Sequence, residues 1–473
     1  MTPVKDTMFT QTYQMKQFKK VYIIRDNSIT NEPCNYYFEG TEDLNPTKEV
    51  IHGTSFHQAP SVFLHWMKKL EHTEYACGVI VETRSIKPDE ALSRLREGDT
   101  ISVPNRYVLH LPVEWYGVLL AKGVQIVIDH SYECDAFWYF GRLFKYLKQQ
   151  GILPNKNLKL LIGSVAKNDK VIPILEKEFG CDIIDTDFFR MYEAWYQSGQ
   201  FYDDRHFPMK LPIRFDPADL NIPKSHTFLN LNRYCKPARY ALVEYCRLKG
   251  YTNDAIISAR WSTSTKDDIE FNDNIAQFIS DLDSGASWFH ELSGDLGINT
   301  FNIVSTLNKH YPIRAEEELD SIYQTDRHNN KEWYEQSFYS LVSESYFDDY
   351  IVCHTGPSDI KIDPYDLLFV TEKTYKPIYC GHPFLICGQA GTLAHLKSLG
   401  FETFDNLFDE TYDTIKDRHL RFKAVCDQID NFEMALHYDH ITKEKIIHNR
   451  HHMLDTKIVS DITKTLLKRL EWL

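Results

Sequence analysis

The chain has 473 residues, 43% of them hydrophobic and 14% aromatic, which is too long for one ordinary core and too apolar for global disorder, so two globular domains with appendages are expected. A formal net charge of −14 excludes a surface that is basic throughout while leaving room for a local positive cleft. Ten cysteines are scattered without a CxxC pair, which speaks against a zinc ribbon or a disulfide framework and for reduced core thiols in a cytoplasmic protein.

Residues 1–20 contain no apolar run of the export-signal kind, and the longest apolar stretch, 115–128, is broken by Lys122; no membrane span is expected. In chain order, 21–24 reads as a strand followed by a polar turn, and 55–70 has helical spacing around Phe56, Val62, Phe63, Trp66 and Leu70. Residues 77–82 form the next predicted strand, 89–97 a charged helix, and 124–128 a further strand that runs into Asp129, His130 and Glu133. A helix over 136–149 and a strand over 158–164 follow. Strands alternating with helices imply a parallel sheet covered on both faces, and ligands of such sheets collect beyond the carboxyl ends of the strands. That rule puts Asp129, His130 and Glu133 on the functional edge of the first domain. Residues 183–184 then lead into Asp185 and Asp187, an Asp-x-Asp pattern that can bind a divalent cation.

The proline-bearing stretch 216–224 reads as a domain boundary. A strand over 227–233 and a helix over 237–248, with Arg239 in its first turn, open the second domain. Residues 262–335 turn acidic and loop-like and are read as an insertion or lid, and 405–473 is helical in pattern. His437, His440, His448, His451 and His452 lie on polar helical stretches without a carboxylate or cysteine at ligand spacing, so no metal site is assigned to them. The basic runs at 16–20, 142–148, 156–159 and 443–450 read as solvated faces.

Chemistry concentrates in residues 367–404. An apolar run over 367–370 leads into Thr371, Glu372 and Lys373, where threonine can cap a helix whose first amides favour an anion. Lys373 and Lys376 fall on one face of that helix. Two cations and outward amides suit a diphosphate, and Glu372 suits ribose hydroxyls beside it. A buried-strand pattern over 383–387 is followed by Gly388, Gln389, Ala390, Gly391 and Thr392, a turn able to offer backbone amides. Together these residues point to a nucleotide-sugar site, and no GxxxxGK[ST] loop is present to favour a kinase or nucleotidase.

This stretch resembles the donor-binding half of the α-1,3-fucosyltransferase-like glycosyltransferases, in which Thr-Glu-Lys follows a strand and precedes another strand ending in glycine. Residues 337–345 resemble that family's strand ending in an acid, although Ser343, Glu344 and Ser345 stand where Glu-Asn-Ser is usual. The strand leaving through Asn232 and Arg233 and the helix bearing Arg239 resemble its third block. The likeness spans about 228–404 and is nearer to virus- and bacterium-encoded members than to animal enzymes.

The resemblance implies two Rossmann-like α/β domains facing across a cleft (GT-B-like): an acceptor-side domain over 1–222, a donor domain over 223–404 and a helical extension over 405–473. It implies a UDP- or GDP-sugar as donor, held by Asn232, Arg233, Arg239, Ser343, Glu344, Thr371, Glu372, Lys373 and Lys376, with no bound cofactor or metal. It also implies an inverting transfer in which Glu133, Asp129 or His130 deprotonates the acceptor hydroxyl. The acceptor stays open between a hydroxymethylated base of phage DNA, modified in the host cytoplasm, and a glycan. The alternatives are a metal-dependent GT-A-like transferase using Asp185 and Asp187, and a non-catalytic sugar- or nucleic-acid-binding protein.

Overall fold

A computed structural model of the chain describes residues 21–25, 78–82, 97, 100–104, 113–131, 136–190, 215–232, 236–259, 294–298, 331–347 and 366–470. It is a mixed α/β protein with parallel sheets. The chain divides into two compact units, one of Met1–Met209, Asp349–Phe369 and Thr456–Leu473, the other of Lys210–Asp348 and Val370–Asp455. The sequence reading set a boundary at 222/223 and a separate extension from 405; the units divide at 209/210, with 405–455 in the second and 456–473 in the first. The expected helix over 55–70, all of 89–97 except Glu97, and most of the 262–335 insertion lie outside the described residues.

The first unit contains β1 (Val21–Arg25), β2 (Gly78–Glu82), β3 (Thr100–Pro104), β4 (Gln125–His130), β5 (Leu158–Ile162), β6 (Val165–Ala166) and β7 (Asp182–Asp185). Six of these form a sheet in the order β2-β1-β3-β4-β5-β7, parallel throughout. Helices α1 (Val113–Ala121), α2 (Ala136–Gln149) and α3 (Val171–Phe179) connect its later strands. All of β5 is buried, and so is β4 after Gln125, because both faces are covered; the sequence there is correspondingly a run of aliphatics rather than an alternation. Lys159, fully buried in β5, is admitted to that core by Asp182 at 2.8 Å. Past the end of β5, a Cβ at Gly163 would collide with the Ser131 carbonyl, so only glycine lets the chain pass so close to the end of β4.

The second unit contains β8 (His226–Asn232), β9 (Ile256–Ala259), β10 (Ser337–Ser343) and β12 (Phe384–Cys387) in the order β12-β10-β8-β9, again all parallel. The intervening β11 (Leu367–Leu368) belongs to the first unit, where it pairs antiparallel with β6. Around the second sheet lie α4 (Pro237–Leu248), α5 (Lys331–Gln336), α6 (Glu372–Cys380), α7 (Thr392–Ser398), α8 (Arg418–Asp430) and α9 (His440–Met453). Every residue of β10 is buried. From it Tyr339 packs edge-on against Phe408 and Phe432, with centroids at 5.0 and 4.8 Å, and Phe338 against Tyr438 at 4.8 Å.

The last helix, α10 (Thr456–Arg469), rejoins the first unit, where Arg469 bonds the Asp185 carboxylate at 2.6 Å and the carbonyls of Asp185 and Ile183. Among the described residues no helix is long and apolar enough to cross a membrane. Cys181, Cys246, Cys380, Cys387 and Cys426 are buried thiols.

Candidate functional site

In the second sheet the chain runs from β8 to β9 on one side and then to β10 on the other, so its direction of travel reverses between β8 and β10. In open parallel sheets ligands bind at such a reversal, beyond the carboxyl ends of the strands. Asn232 ends β8 there, and Ser343, Glu344 and Ser345 leave β10 there. The carboxyl edge is completed by α6, which starts at Glu372 with Thr371 as its N-cap, the Thr371 hydroxyl accepting from the Lys373 amide at 3.3 Å.

Glu344 holds this start in place. Its carboxylate is buried, 3% exposed, and accepts from the Thr371 amide at 3.1 Å, the Thr371 and Thr374 hydroxyls at 2.6 Å each, and the Ser345 amide at 2.9 Å. Four donors on two oxygens, one of them a helix-start amide, satisfy the hydrogen-bonding capacity of this buried carboxyl group. Glu344 therefore faces into the protein and fixes the backbone on which Ser345, Thr371 and Lys373 stand. A Cβ at Gly388, just past β12, would press on the Glu344 side chain at 3.3 Å.

Two cations meet beside it. Arg239 rises from the first turn of α4, a helix opened by Pro237 at its first position. Its side chain is almost wholly buried, and Nη2 donates to Ser345 Oγ at 3.2 Å. Lys373 Nζ, from α6, donates to the same Ser345 Oγ at 3.2 Å and to Glu372 Oε1 at 2.6 Å. Two positive groups from separate blocks of sequence thus meet on one hydroxyl, and a charge-assisted bond from such a group to an anion is stronger than one to a hydroxyl. Glu372 and Lys373 remain about a fifth exposed (23% and 21%), so their pair is weak and open to exchange. Lys376 is half-buried one turn further along α6. Lys236, at the N-cap of α4, lies over the Tyr346 ring at 4.2 Å and adds a third cation near the edge.

The glycine turn after β12 does not present all the amides expected of it. Asp413 accepts from the Leu393 and Ala394 amides at 3.0 and 3.1 Å, and its own carbonyl takes the Gly391 amide, so the start of α7 is capped from within. Beneath the turn, the buried Arg421 guanidinium donates to the carbonyls of Gly388, Ile415, Lys416 and Phe347 between 2.7 and 3.1 Å. Sequence reasoning named Ser345 only as part of the β10 motif, without a role, and missed Lys236, Asp413 and Arg421. Only Ser345 and Lys236 carried a local signal, as a serine after the β10 acid and a lysine just before a helix-opening proline.

In the first unit, Asp129 and His130 sit at the end of β4, both buried. Asp129 Oδ1 accepts from the Ser131 amide and hydroxyl at 3.2 and 2.7 Å. Burial pushes the His130 pKa down to about 3, so the ring is neutral near pH 7. Glu133 and Arg233 lie outside the described residues. Asp185 is engaged by Arg469 and by the Ala166 amide at 3.0 Å, and Asp187 receives the Arg190 amide at 3.3 Å. Of the later histidines, His448 and His452 bond the carbonyls of Gly400 and Leu399 behind α7, at 2.9 and 2.6 Å, and their rings stack at 5.7 Å. Among the described residues there is no group of three or more metal-ligating side chains. Comparison with family models, curated proteins and solved structures finds no match.

Proposed function

We infer that the second unit binds the diphosphate of a nucleotide sugar at this edge and that the protein is a glycosyltransferase moving the sugar to an acceptor hydroxyl. The observation that carries this reading is the meeting of Arg239 and Lys373 on Ser345 Oγ at the reversal point of the sheet. When the anomeric bond breaks, negative charge builds on the departing diphosphate, and fixed cations aimed at those oxygens lower the barrier. In this role Arg239 and Lys373 touch the leaving group, while Glu344 and Thr371 are positioning residues. Transfer without a metal fits a site whose positive charge comes from side chains, and inversion at the anomeric carbon is proposed with it. Asp129, His130 and Glu133 remain the proposed base candidates, with the His130 ring neutral and so able to accept a proton near pH 7. A hydroxymethylated DNA base and a glycan remain the proposed acceptors.

The test is a thermal-shift series with UDP, GDP and dTDP and their sugar-linked forms, followed by incubation with hydroxymethylated and plain DNA. A ligand at a hundredfold its Kd stabilises the folded protein by about 2.7 kcal/mol, so the right nucleotide stands out. Arg239→Ala and Lys373→Ala are each expected to weaken that nucleotide roughly tenfold or more. If no nucleotide shifts the wild-type melting temperature, or if Arg239→Ala binds as the wild type does, the reading fails.

A further inference from the structure

Asn232 was expected to stand beside the phosphates, but its hydrogen bonds turn it to another task. Asn230, two residues earlier on the same face of β8, donates through Nδ2 to the Leu341 carbonyl at 2.5 Å and to Ser343 Oγ at 3.0 Å. A carbonyl can only accept, so the NH₂ of Asn230 must face β10 and its Oδ1 must face the other way. There it receives Nδ2 of Asn232 at 2.5 Å. The second amide is oriented by the first: its NH₂ points back to Asn230, so its Oδ1 faces away from that residue. Asn232 is 3% exposed, and Oδ1 is buried without a hydrogen-bond partner. The pairing of Ser337 with His226 and of Ser340 with Leu229, continued along the strands, sets Asn232 abreast of Ser343. Ser345, the meeting point of the two cations, is two residues further on.

The geometry points to Asn232 as a specificity residue that accepts a hydrogen bond from an O–H or N–H of the ligand, its orientation set by Asn230. The diphosphate of a nucleotide sugar, esterified at both ends, has no hydrogen to give it near neutral pH, and its oxygens would be repelled by the amide oxygen. The group it reads is therefore a hydroxyl or N–H next to the diphosphate, on the nucleoside or on the sugar. Filling that acceptor recovers the cost of burying it, and a ligand without a matching donor leaves it bare. This inference rests on the nucleotide-sugar reading of the same edge.

The experiment measures calorimetric affinities of wild type and Asn232→Leu for inorganic pyrophosphate, for UDP and GDP, and for UDP- and GDP-glucose. The expected result is that Asn232→Leu leaves pyrophosphate unchanged and weakens ligands carrying the matched donor roughly tenfold to a hundredfold. Loss that begins with the nucleotide places the donor on the nucleoside, and loss confined to the nucleotide sugar places it on the sugar. Equal loss for pyrophosphate and the larger ligands, or no loss for any, overturns the proposal while the nucleotide site stands. Wild-type protein that binds none of them overturns both. Asn232→Ala, which only shortens the side chain, takes the same measurements if the leucine variant does not fold, with the same outcomes deciding.

Discussion

Replacing Glu344 with alanine removes the acceptor shared by two backbone amides and two hydroxyls. The Thr371 and Thr374 hydroxyls can rotate toward other acceptors, but the amides of Thr371 and Ser345 are fixed by the chain. An unmet buried donor costs about 1–3 kcal/mol, so the two together cost about 2–6. Relief from burying a carboxylate returns part of this, which leaves an expected loss of about 2–4 kcal/mol. Glu344→Gln keeps one carbonyl oxygen and sets an NH₂ against one of the two amides, so about 1–2 kcal/mol is expected. Urea denaturation at pH 7, followed by fluorescence and circular dichroism, yields both values from the midpoint and slope. Nucleotide affinity should fall with them, because Ser345 and the cap of α6 lose their anchor. Glu344→Ala within about 0.5 kcal/mol of wild type, the range of an ordinary surface change, would refute the anchoring role.

His382 gives a pH-dependent outcome. It is buried between Ser340 Oγ at 2.8 Å and the Ser337 carbonyl at 2.9 Å, and burial, with Lys224 adding to it, lowers its pKa to about 3. An unfolded histidine takes up its proton near pH 6.5, so below that the unfolded chain holds more protons. The stability from keeping this ring neutral is complete above pH 6.5 and is lost toward pH 3, at about 1.4 kcal/mol per pH unit or less. Urea midpoints between pH 4 and 7 check this, and an NMR titration of His382 near pH 6 would contradict it. Arg421→Met strands four carbonyls and is expected to cost about 2–4 kcal/mol in the same urea assay, with Arg421→Lys recovering under half because one ammonium cannot span them. Gly381 ends α6 at φ 70° against the Phe215 ring. Gly381→Ala combines left-handed strain with a clash and should lower stability by about 2–4 kcal/mol.

Much of the architecture was legible because strands buried on both faces leave largely aliphatic runs: β4, β5 and β12 could be read directly, whereas β10, with three serines and two aromatics, was read from its resemblance to a family strand. β3 was not, since Thr100 and Ser102 make it look like a turn and only its pairing between β1 and β4 makes it a strand. β9 was lost for another reason, being only four residues long behind a turn. At the site, Lys373 was singled out as a charge at a helix start after a strand, and Arg239 through the resemblance of its block to the family's. Glu344 carried no mark of which way it would face, as that depends on Thr371 and Thr374 arriving from another part of the chain. Asp413 takes the α7 amides from about twenty residues downstream, and nothing near the glycine turn announces it.

The return of α10 to the first unit bears on how the protein is made. A nascent chain that has emerged through residue 455 carries every segment of the second unit, yet Asp185 and the carbonyl of Ile183 still await Arg469. During translation the later-encoded body is thus the first to hold its full complement of sequence, and the earlier one is finished only when the closing segment leaves the ribosome. Stop codons placed after residue 455 should accordingly loosen the amino-terminal body, making it the preferred target of protease while the other resists.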